Sequence, residues 1–500
     1  GPIGETIIRT ATQPLYMSLG DVITGEQMAV IDRNSAALGV PPKQLMESAG
    51  NAIARAVRST VDPGGEIVIV AGRGNNGGDA FVAARFLEEY DVQVRLLGRA
   101  ETLTTDIARQ NWAALQASEL DASEVRDSTA IDLGEPDLFV DAMVGTGVSG
   151  ALREPMATAA ARLNDSETPV LSVDAPSGMD GTTGTLADNA VEADHVVTFH
   201  KPKPGLAALP APVTVADIGI PEGAERFVER GDLSRLSRPA DSHKGAFGEV
   251  LVIGGGPYTG APALAAQAAL RAGADLVRVA CPQSVAREIQ GYSENLIVRP
   301  FDGDRFTTNA VGTVQELAVE HDSVVLGPGL GAAENTLAAV QELLRGYDGV
   351  AVVDADALEV LPDVETDASL IATPHQGELR AMGGATTDNW RERTELVESF
   401  ASDLGVTLLV KGQYDVLSDG ERTRVNRTGN PGMTTGGTGD VLAGTVGALA
   451  ATQDPMAAAA IGAHVTGAAG DRVVERQGYG LVATDVLDAI PPVMWGIDDE

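Results

Sequence analysis

Glu66-Ile-Val-Ile-Val-Ala-Gly-Arg-Gly-Asn-Asn-Gly-Gly-Asp79 is a short apolar run that ends in a glycine turn and passes into the helically spaced Ala80 to Glu89. The run does not alternate between apolar and polar residues, so a strand made from it is buried on both faces. That is the condition of a strand inside a parallel sheet covered by helices on either side. Upstream, Gly25 to Leu38 and Pro42 to Ser59 carry the apolar spacing of helices, with Pro41-Pro42 as the break between them. Downstream, Val92 to Leu97, Asp137 to Val144 and Pro169 to Val173 read as further strands set apart by helix-length sequence, and Val196 to Phe199 and Val213 to Ile218 extend the sheet.

The same pattern restarts at Gly248-Glu-Val-Leu-Val-Ile-Gly-Gly-Gly256, with strands at Leu276 to Ala280, Ser323 to Leu326, Val350 to Asp354 and Thr407 to Lys411. Between the halves, Pro221 to Asp241 is charged, Arg-rich and weakly periodic, and reads as a linker or joining helix. A chain of 500 residues, 44% of them hydrophobic, exceeds what one core organises, so two α/β domains are expected.

The formal charge of -36 repels polyanions, which argues against nucleic acid and anionic membrane as partners. Of 35 basic residues only five are lysines (Lys43, Lys201, Lys203, Lys244 and Lys411), against 71 acidic ones. This composition is similar to that of proteins from salt-loving archaea and implies a halophilic chain. No run reaches the roughly 18 apolar residues of a membrane span, and no signal-peptide pattern opens the chain. Cys281 is the single cysteine, which leaves no disulfide framework or cysteine zinc site, and a cytoplasmic address is expected.

Three loops at strand ends carry chemistry in the first half: Asn75 to Asp79, Asp141-Ala-Met-Val-Gly-Thr-Gly-Val-Ser-Gly-Ala151, and Ser172-Val-Asp-Ala-Pro-Ser-Gly178. Loops after parallel strands gather at the carboxyl edge of the sheet, where ligands bind. Two amides and a carboxylate crowd a glycine turn that needs none of them to fold, and free N–H groups at a helix start favour an anion such as phosphate. His200-Lys-Pro-Lys-Pro-Gly205 places two of the five lysines on one loop, where they either close over phosphate or lie on the surface.

In this order, the NNGGD, D-x-x-x-G-T-G and D-x-P-S-G loops resemble the YjeF N-terminal domain, the NAD(P)HX epimerase, over residues 20–222. The resemblance implies a Rossmann-like three-layer α/β/α domain. It implies that Asn75, Asn76, Gly77, Gly78 and Asp79, with Gly145, Thr146, Gly147, Val148, Ser149, Gly150 and Ala151, hold the phosphates and ribose of the substrate. Asp174 would contact the hydrated nicotinamide and is a plausible acid/base for interconverting its R and S forms. Asn76, Asp141 and Ser177 would supply oxygen ligands to a potassium ion.

Near the C-terminus, Asn430-Pro-Gly-Met-Thr-Thr-Gly-Gly-Thr-Gly-Asp440 runs into the helical Val441 to Ala450. Its glycines leave backbone N–H groups open at a helix start, able to receive the charge of a phosphoryl group. Asp440, costly inside an anion-binding loop, reads as a base that activates a hydroxyl. G-T-G-D resembles the signature of ribokinase-like kinases, and no P-loop occurs. With His243 to Gly248, Gly327 to Gly331, Val352 to Leu358, Thr373 to Glu378 and Val410 to Asp415, the half resembles the ADP/ATP-dependent NAD(P)H-hydrate dehydratases over residues 230–492. That implies a ribokinase-like α/β domain in which Ala263, Gly329, His375 and Asp440 contact the hydrated dinucleotide. Lys411, Gly412, Gln413, Tyr414, Asp415 and Gly439 would hold ADP or ATP with magnesium. Gln413 and Tyr414 stand where relatives commonly carry small residues.

The two resemblances together imply a bifunctional repair enzyme, expected as a homo-oligomer, that epimerises NAD(P)HX and dehydrates the S form. The alternative is a ribokinase-like small-molecule (vitamin) kinase fused to a nucleotide-binding scaffold. It shares Asp440 but leaves the NNGGD half without a use.

Overall fold

The structure is a computed structural model and describes residues 22–147 and 149–496; the site call on Val148 lies outside the described residues. The chain divides into two units between Ala224 and Glu225. In the first, β1 (Glu66–Ala71), β2 (Asp91–Leu97), β3 (Asp121–Val125), β4 (Leu138–Ala142), β5 (Val170–Val173), β6 (His195–Phe199) and β7 (Val213–Ala216) form one sheet. Its order is β3-β2-β1-β4-β5-β6-β7, parallel throughout.

Successive side chains of β1 go to opposite faces, as the period of two demands. Ile67, Ile69 and Ala71 pack with helices Gly25–Ala37, Pro42–Thr60, Asn75–Arg85 and Asp106–Ala117, whereas Val68 and Val70 pack with helix Met156–Asp165. This partition makes the unit a three-layer α/β/α sandwich. β3 escapes a sequence reading because Asp-Ala-Ser-Glu-Val lies at the edge of the sheet, where apolar residues are not required.

In the second unit, β8 (Glu249–Ile253), β9 (Leu276–Pro282), β10 (Ile297–Phe301), β11 (Ser323–Leu326), β12 (Val350–Val353), β13 (Ser369–Ala372), β14 (Thr407–Val410), β15 (Asp415–Ser418) and β16 (Thr423–Asn426) form the order β10-β9-β8-β11-β12-β13-β14-β15-β16. The last two strands are antiparallel, a hairpin added to a parallel sheet. Val250 and Val252 pack with helices Gly260–Arg271, Thr438–Ala450 and Pro455–Gln477; Leu251 and Ile253 pack with helices Thr308–Ala318 and Glu334–Arg345. The segment expected as a linker carries the boundary between the units. Beyond it, Phe227 bridges Val425 of β16 and the Val228 amide donates to the Val425 carbonyl at 2.9 Å, so this stretch edges the second sheet.

Both sheets reverse their winding between the first and fourth strands of the unit, β1 and β4 in one and β8 and β11 in the other, which opens a crevice at the carboxyl ends of those strands. At each reversal a glycine lets two loops meet. A Cβ on Gly72 would lie 1.8 Å from the Met143 carbonyl oxygen, and one on Gly254 would lie 2.3 Å from that of Pro328. No helix among the described residues is long and apolar enough to cross a membrane.

Candidate active sites

In the first unit the helix begins at Asn75, not at Ala80, so Asn75 to Asp79 form its first turn. Asn and Gly are poor helix formers, and tertiary packing overrides that preference: a Cβ on Gly77 would meet the Gly72 carbonyl at 2.1 Å, and one on Gly78 the Met46 side chain at 2.7 Å. The Asn76 amide nitrogen donates to the Val173 carbonyl at 2.8 Å, which turns its oxygen outward beside Gly145. Asp141, at the end of β4, is fully buried. It accepts from the Ser177 hydroxyl (2.6 Å), the Ser177 amide (2.9 Å), the Ser172 hydroxyl (2.8 Å) and the Met143 amide (3.3 Å). Burial pushes its carboxyl above the usual range even against those hydrogen bonds.

Asp174 follows β5 with φ of 67°, a left-handed conformation uncommon outside glycine. Its carboxylate accepts from Thr146 Oγ1 and Thr198 Oγ1, both at 3.0 Å, and pairs with Lys203 Nζ at 2.7 Å. The HKPKPG loop therefore does not put Lys203 over a phosphate: its side chain is 1% exposed. Asp32, on helix Gly25–Ala37, joins the same neighbourhood. Burial raises its carboxyl to about 6, while Lys203 and His200 lower it and Asp174 raises it. Asp79 is raised well above the carboxylate range by burial and then by Asp174 and Asp32. Ser149, Gly150 and Ala151 line an open cleft with Asp180, Thr183 and Asn189. Asn75 Oδ1 is taken by the Thr105 hydroxyl at 3.0 Å.

In the second unit, Gly437 adopts φ of 93° and caps helix Thr438–Ala450, so Gly439 and Asp440 belong to the first turn and the helix begins three residues before Val441. As at any helix start, the N–H groups of this first turn have no intrahelical partner and favour an anion. Asp440 is pushed up to about 7, by burial first and then by Asp354 and Glu378, with Lys411 opposing. Lys411 follows β14 directly and contacts Asp354 at 3.2 Å and Glu378 at 3.8 Å. Burial disfavours its charge, yet Asp354, Glu378 and Asp440 outweigh this and hold its pKa above the usual value. Asp354 also accepts from Thr373 Oγ1 at 2.8 Å. His375 Nδ1 accepts the amides of Gly377 (2.9 Å) and Glu378 (3.1 Å), so the ring caps a helix, and its Nε2 lies 3.6 Å from Glu378 Oε1.

Two family descriptions match this chain: "YjeF-related protein N-terminus" over residues 42–205 and "NAD(P)H-hydrate dehydratase" over residues 250–492. The bifunctional NAD(P)H-hydrate repair enzyme Nnr of Methanothermobacter thermautotrophicus is 43% identical over 93% of this chain and 94% of its own length, and that of Pyrobaculum aerophilum is 43% identical over 94% and 98%. This chain belongs to the family of bifunctional NAD(P)H-hydrate repair enzymes. The Bacillus subtilis ADP/ATP-dependent NAD(P)H-hydrate dehydratase, a solved structure, aligns with 55% of this chain and 99% of its own at 24% identity and TM-score 0.48.

In this member of the repair-enzyme family the five residues after β14 do not all face one way. The Tyr414 ring stacks on Trp390 at 5.3 Å, and Arg393 Nη2 donates to the Tyr414 carbonyl at 2.7 Å. Asp415 opens β15 and folds back, accepting from the Gly412 amide (3.0 Å) and the Asn426 side chain (2.9 Å); burial raises it to about 6. Gly412 and Gln413 are exposed between them. Ala263 is buried in the first turn of helix Gly260–Arg271, and Gly329 lies on the loop after β11, with the Tyr258 carbonyl where a Cβ would stand. Sequence reading assigned no role to Asp354 or Glu378, although both stand in the motifs quoted above, and it passed over Asp32, whose helix gives no chemical signal.

Proposed function

We propose that the first unit interconverts the R and S forms of hydrated NAD(P)H and that the second restores NAD(P)H from the S form with ADP or ATP. The observation that carries the second half is Asp440: a carboxyl held near neutrality at a helix start whose N–H groups can take phosphoryl charge. In its ionised form Asp440 accepts the proton of the ring hydroxyl as that oxygen attacks the terminal phosphorus. ADP then leaves as AMP, or ATP as ADP. The ring carbon–oxygen bond breaks with inorganic phosphate as leaving group, the neighbouring ring carbon loses a proton, and the double bond returns. Lys411, Gly412, Gln413, Tyr414, Asp415 and Gly439 are assigned to the nucleotide, and Ala263, Gly329 and His375 with Asp440 to the hydrate.

Asp354 and Glu378 fit a nucleotide-borne magnesium ion, which keeps several waters and phosphate oxygens and asks for only one or two protein carboxylates. When bound, the ion offsets nucleotide charge. Because the reactive form of Asp440 is the carboxylate, kcat/KM for dehydration is expected to fall as pH drops below about 7 and to level off above it. A profile flat from pH 5 to 8 would remove Asp440 as the base.

In the first unit we assign Asp174 to the hydrated ring, and Asn75 to Asp79 and Gly145 to Ala151 to the rest of the dinucleotide. Asn76, Asp141 and Ser177 fit potassium: one carboxylate and neutral oxygens make a hard, singly charged set, and among the described residues no lysine or arginine is paired with Asp141. Potassium would neutralise that buried charge and brace the loops after β4 and β5. Ser177→Ala is expected to raise the potassium concentration for half-maximal epimerisation by about tenfold, read by titrating potassium into a tetramethylammonium buffer; an unchanged midpoint excludes Ser177 as a ligand.

The test of the whole reading uses the R epimer of hydrated NADH with ADP, and separately with ATP. Recovery of NADH absorbance together with stoichiometric phosphate is expected. A stable phosphorylated product, or turnover of S alone, would overturn it.

A further inference from the structure

Lys203 is among the most deeply buried large side chains of the first unit, and it is a lysine in a chain that has only five. A buried ammonium is tolerated only when its charge and its donors are met. Here Nζ pairs with Asp174 Oδ1 at 2.7 Å and donates to Thr198 Oγ1 at 3.0 Å and to the Phe199 carbonyl at 3.2 Å. Two hydrogen bonds and one ion pair hold Nζ inside the unit, and at 1% exposure the side chain is out of reach of a phosphate. Thr198 passes the contact on, donating its own proton to the same Asp174 oxygen at 3.0 Å, while Thr146, from the loop after β4, holds the other oxygen. The backbone of Asp174 is in the left-handed region, a conformation that persists only where its surroundings over-determine it.

We infer that Lys203 is a positioning residue of the first site: with Thr198 it clamps the Asp174 carboxylate in one fixed orientation, in which it meets the hydrated ring. This rests on reading the first unit as the epimerase. The charged groups around Asp174 come from three elements: Asp32 on helix Gly25–Ala37, Asp79 on helix Asn75–Arg85, and His200 and Lys203 after β6. Of these only Lys203 touches the carboxylate among the contacts described. With Asp32 and Asp79 nearby, loss of Lys203 removes the cation that touches Asp174 and leaves two further carboxyls facing it.

Lys203→Met, which keeps length and removes charge, is expected to lower kcat for R-to-S conversion by about 100-fold with little change in KM, the penalty of a misplaced reacting group. A purely structural role would lower the folded fraction and would not separate kcat from KM in this way. Thr198→Val, isosteric and without the hydroxyl, should lower kcat by less, about tenfold, again with little change in KM, and it decides the matter if Lys203→Met does not fold. Wild-type kcat in whichever variant folds overturns the inference. Asp174→Asn separates the two levels: if it is inactive while Lys203→Met behaves as wild type, only the Lys203 role falls. If Asp174→Asn itself works at the wild-type rate, the assignment of Asp174 falls and the clamp with it.

Discussion

Asp440→Asn is expected to abolish dehydration, lowering kcat about a thousandfold, while epimerisation proceeds at the wild-type rate. The asparagine keeps the size of the side chain and the first turn of helix Thr438–Ala450, but it cannot take a proton. The effect should fall on kcat and not on nucleotide binding. Asp440 stands among Asp354 and Glu378, so removing its charge eases the approach of a polyphosphate. KM for ADP or ATP is therefore expected to hold or drop, and the acid limb near pH 7 to disappear. NADH absorbance and phosphate release measured on the S epimer check this, with R-to-S conversion followed chromatographically in the same sample. A rise in KM at unchanged kcat would make Asp440 a binding residue and return the base to another group.

Gly72→Ala is expected to cost the first unit about 3 kcal/mol, lowering its melting transition by about 9 °C, and to remove epimerase activity. The added methyl would stand 1.8 Å from the Met143 carbonyl oxygen. This is a contact between two backbones at the reversal of the sheet, so no flexible side chain can yield. Relief has to come from moving the loop after β4, which carries Gly145 and Thr146, away from Asn76. Dehydration of the S epimer by the same protein should be unaffected. Gly312→Ala supplies the control: it lies in helix Thr308–Ala318 with nothing within 4 Å of the new methyl, and is expected to stabilise by up to about 1 kcal/mol. Gly72→Ala with wild-type melting and epimerase rate would show that the two loops are not rigidly opposed.

Most strands of the parallel sheets were legible as short apolar runs, and β1, β8 and β11 stand where such runs predict them, although the central β13, only four residues long, was not read. β3 and β10 were not, since edge strands need no apolar pattern; β10 even carries Pro300, tolerable only where one side of the ladder is unpaired. The β15–β16 hairpin was hidden for a different reason: its first residue, Asp415, reads as a loop carboxylate until Asn426 is placed beside it.

Residue types and their order along the chain were enough to establish two α/β units, three polar, glycine-bearing loops at strand ends in the first, and a glycine-rich helix start bearing an acid in the second. Those features depend on local chemistry, which neighbours in sequence carry. That Lys203 turns inward to Asp174, and that burial raises the carboxyls of Asp32 and Asp440, emerges only from the tertiary structure. Lys203 and Asp174 are 29 positions apart, and Asp354 and Asp440 are 86 apart. Whether a lysine reaches out to phosphate or turns inward to a carboxylate is decided by burial and by which charge the fold brings within about 3 Å, quantities that the order of residues does not contain.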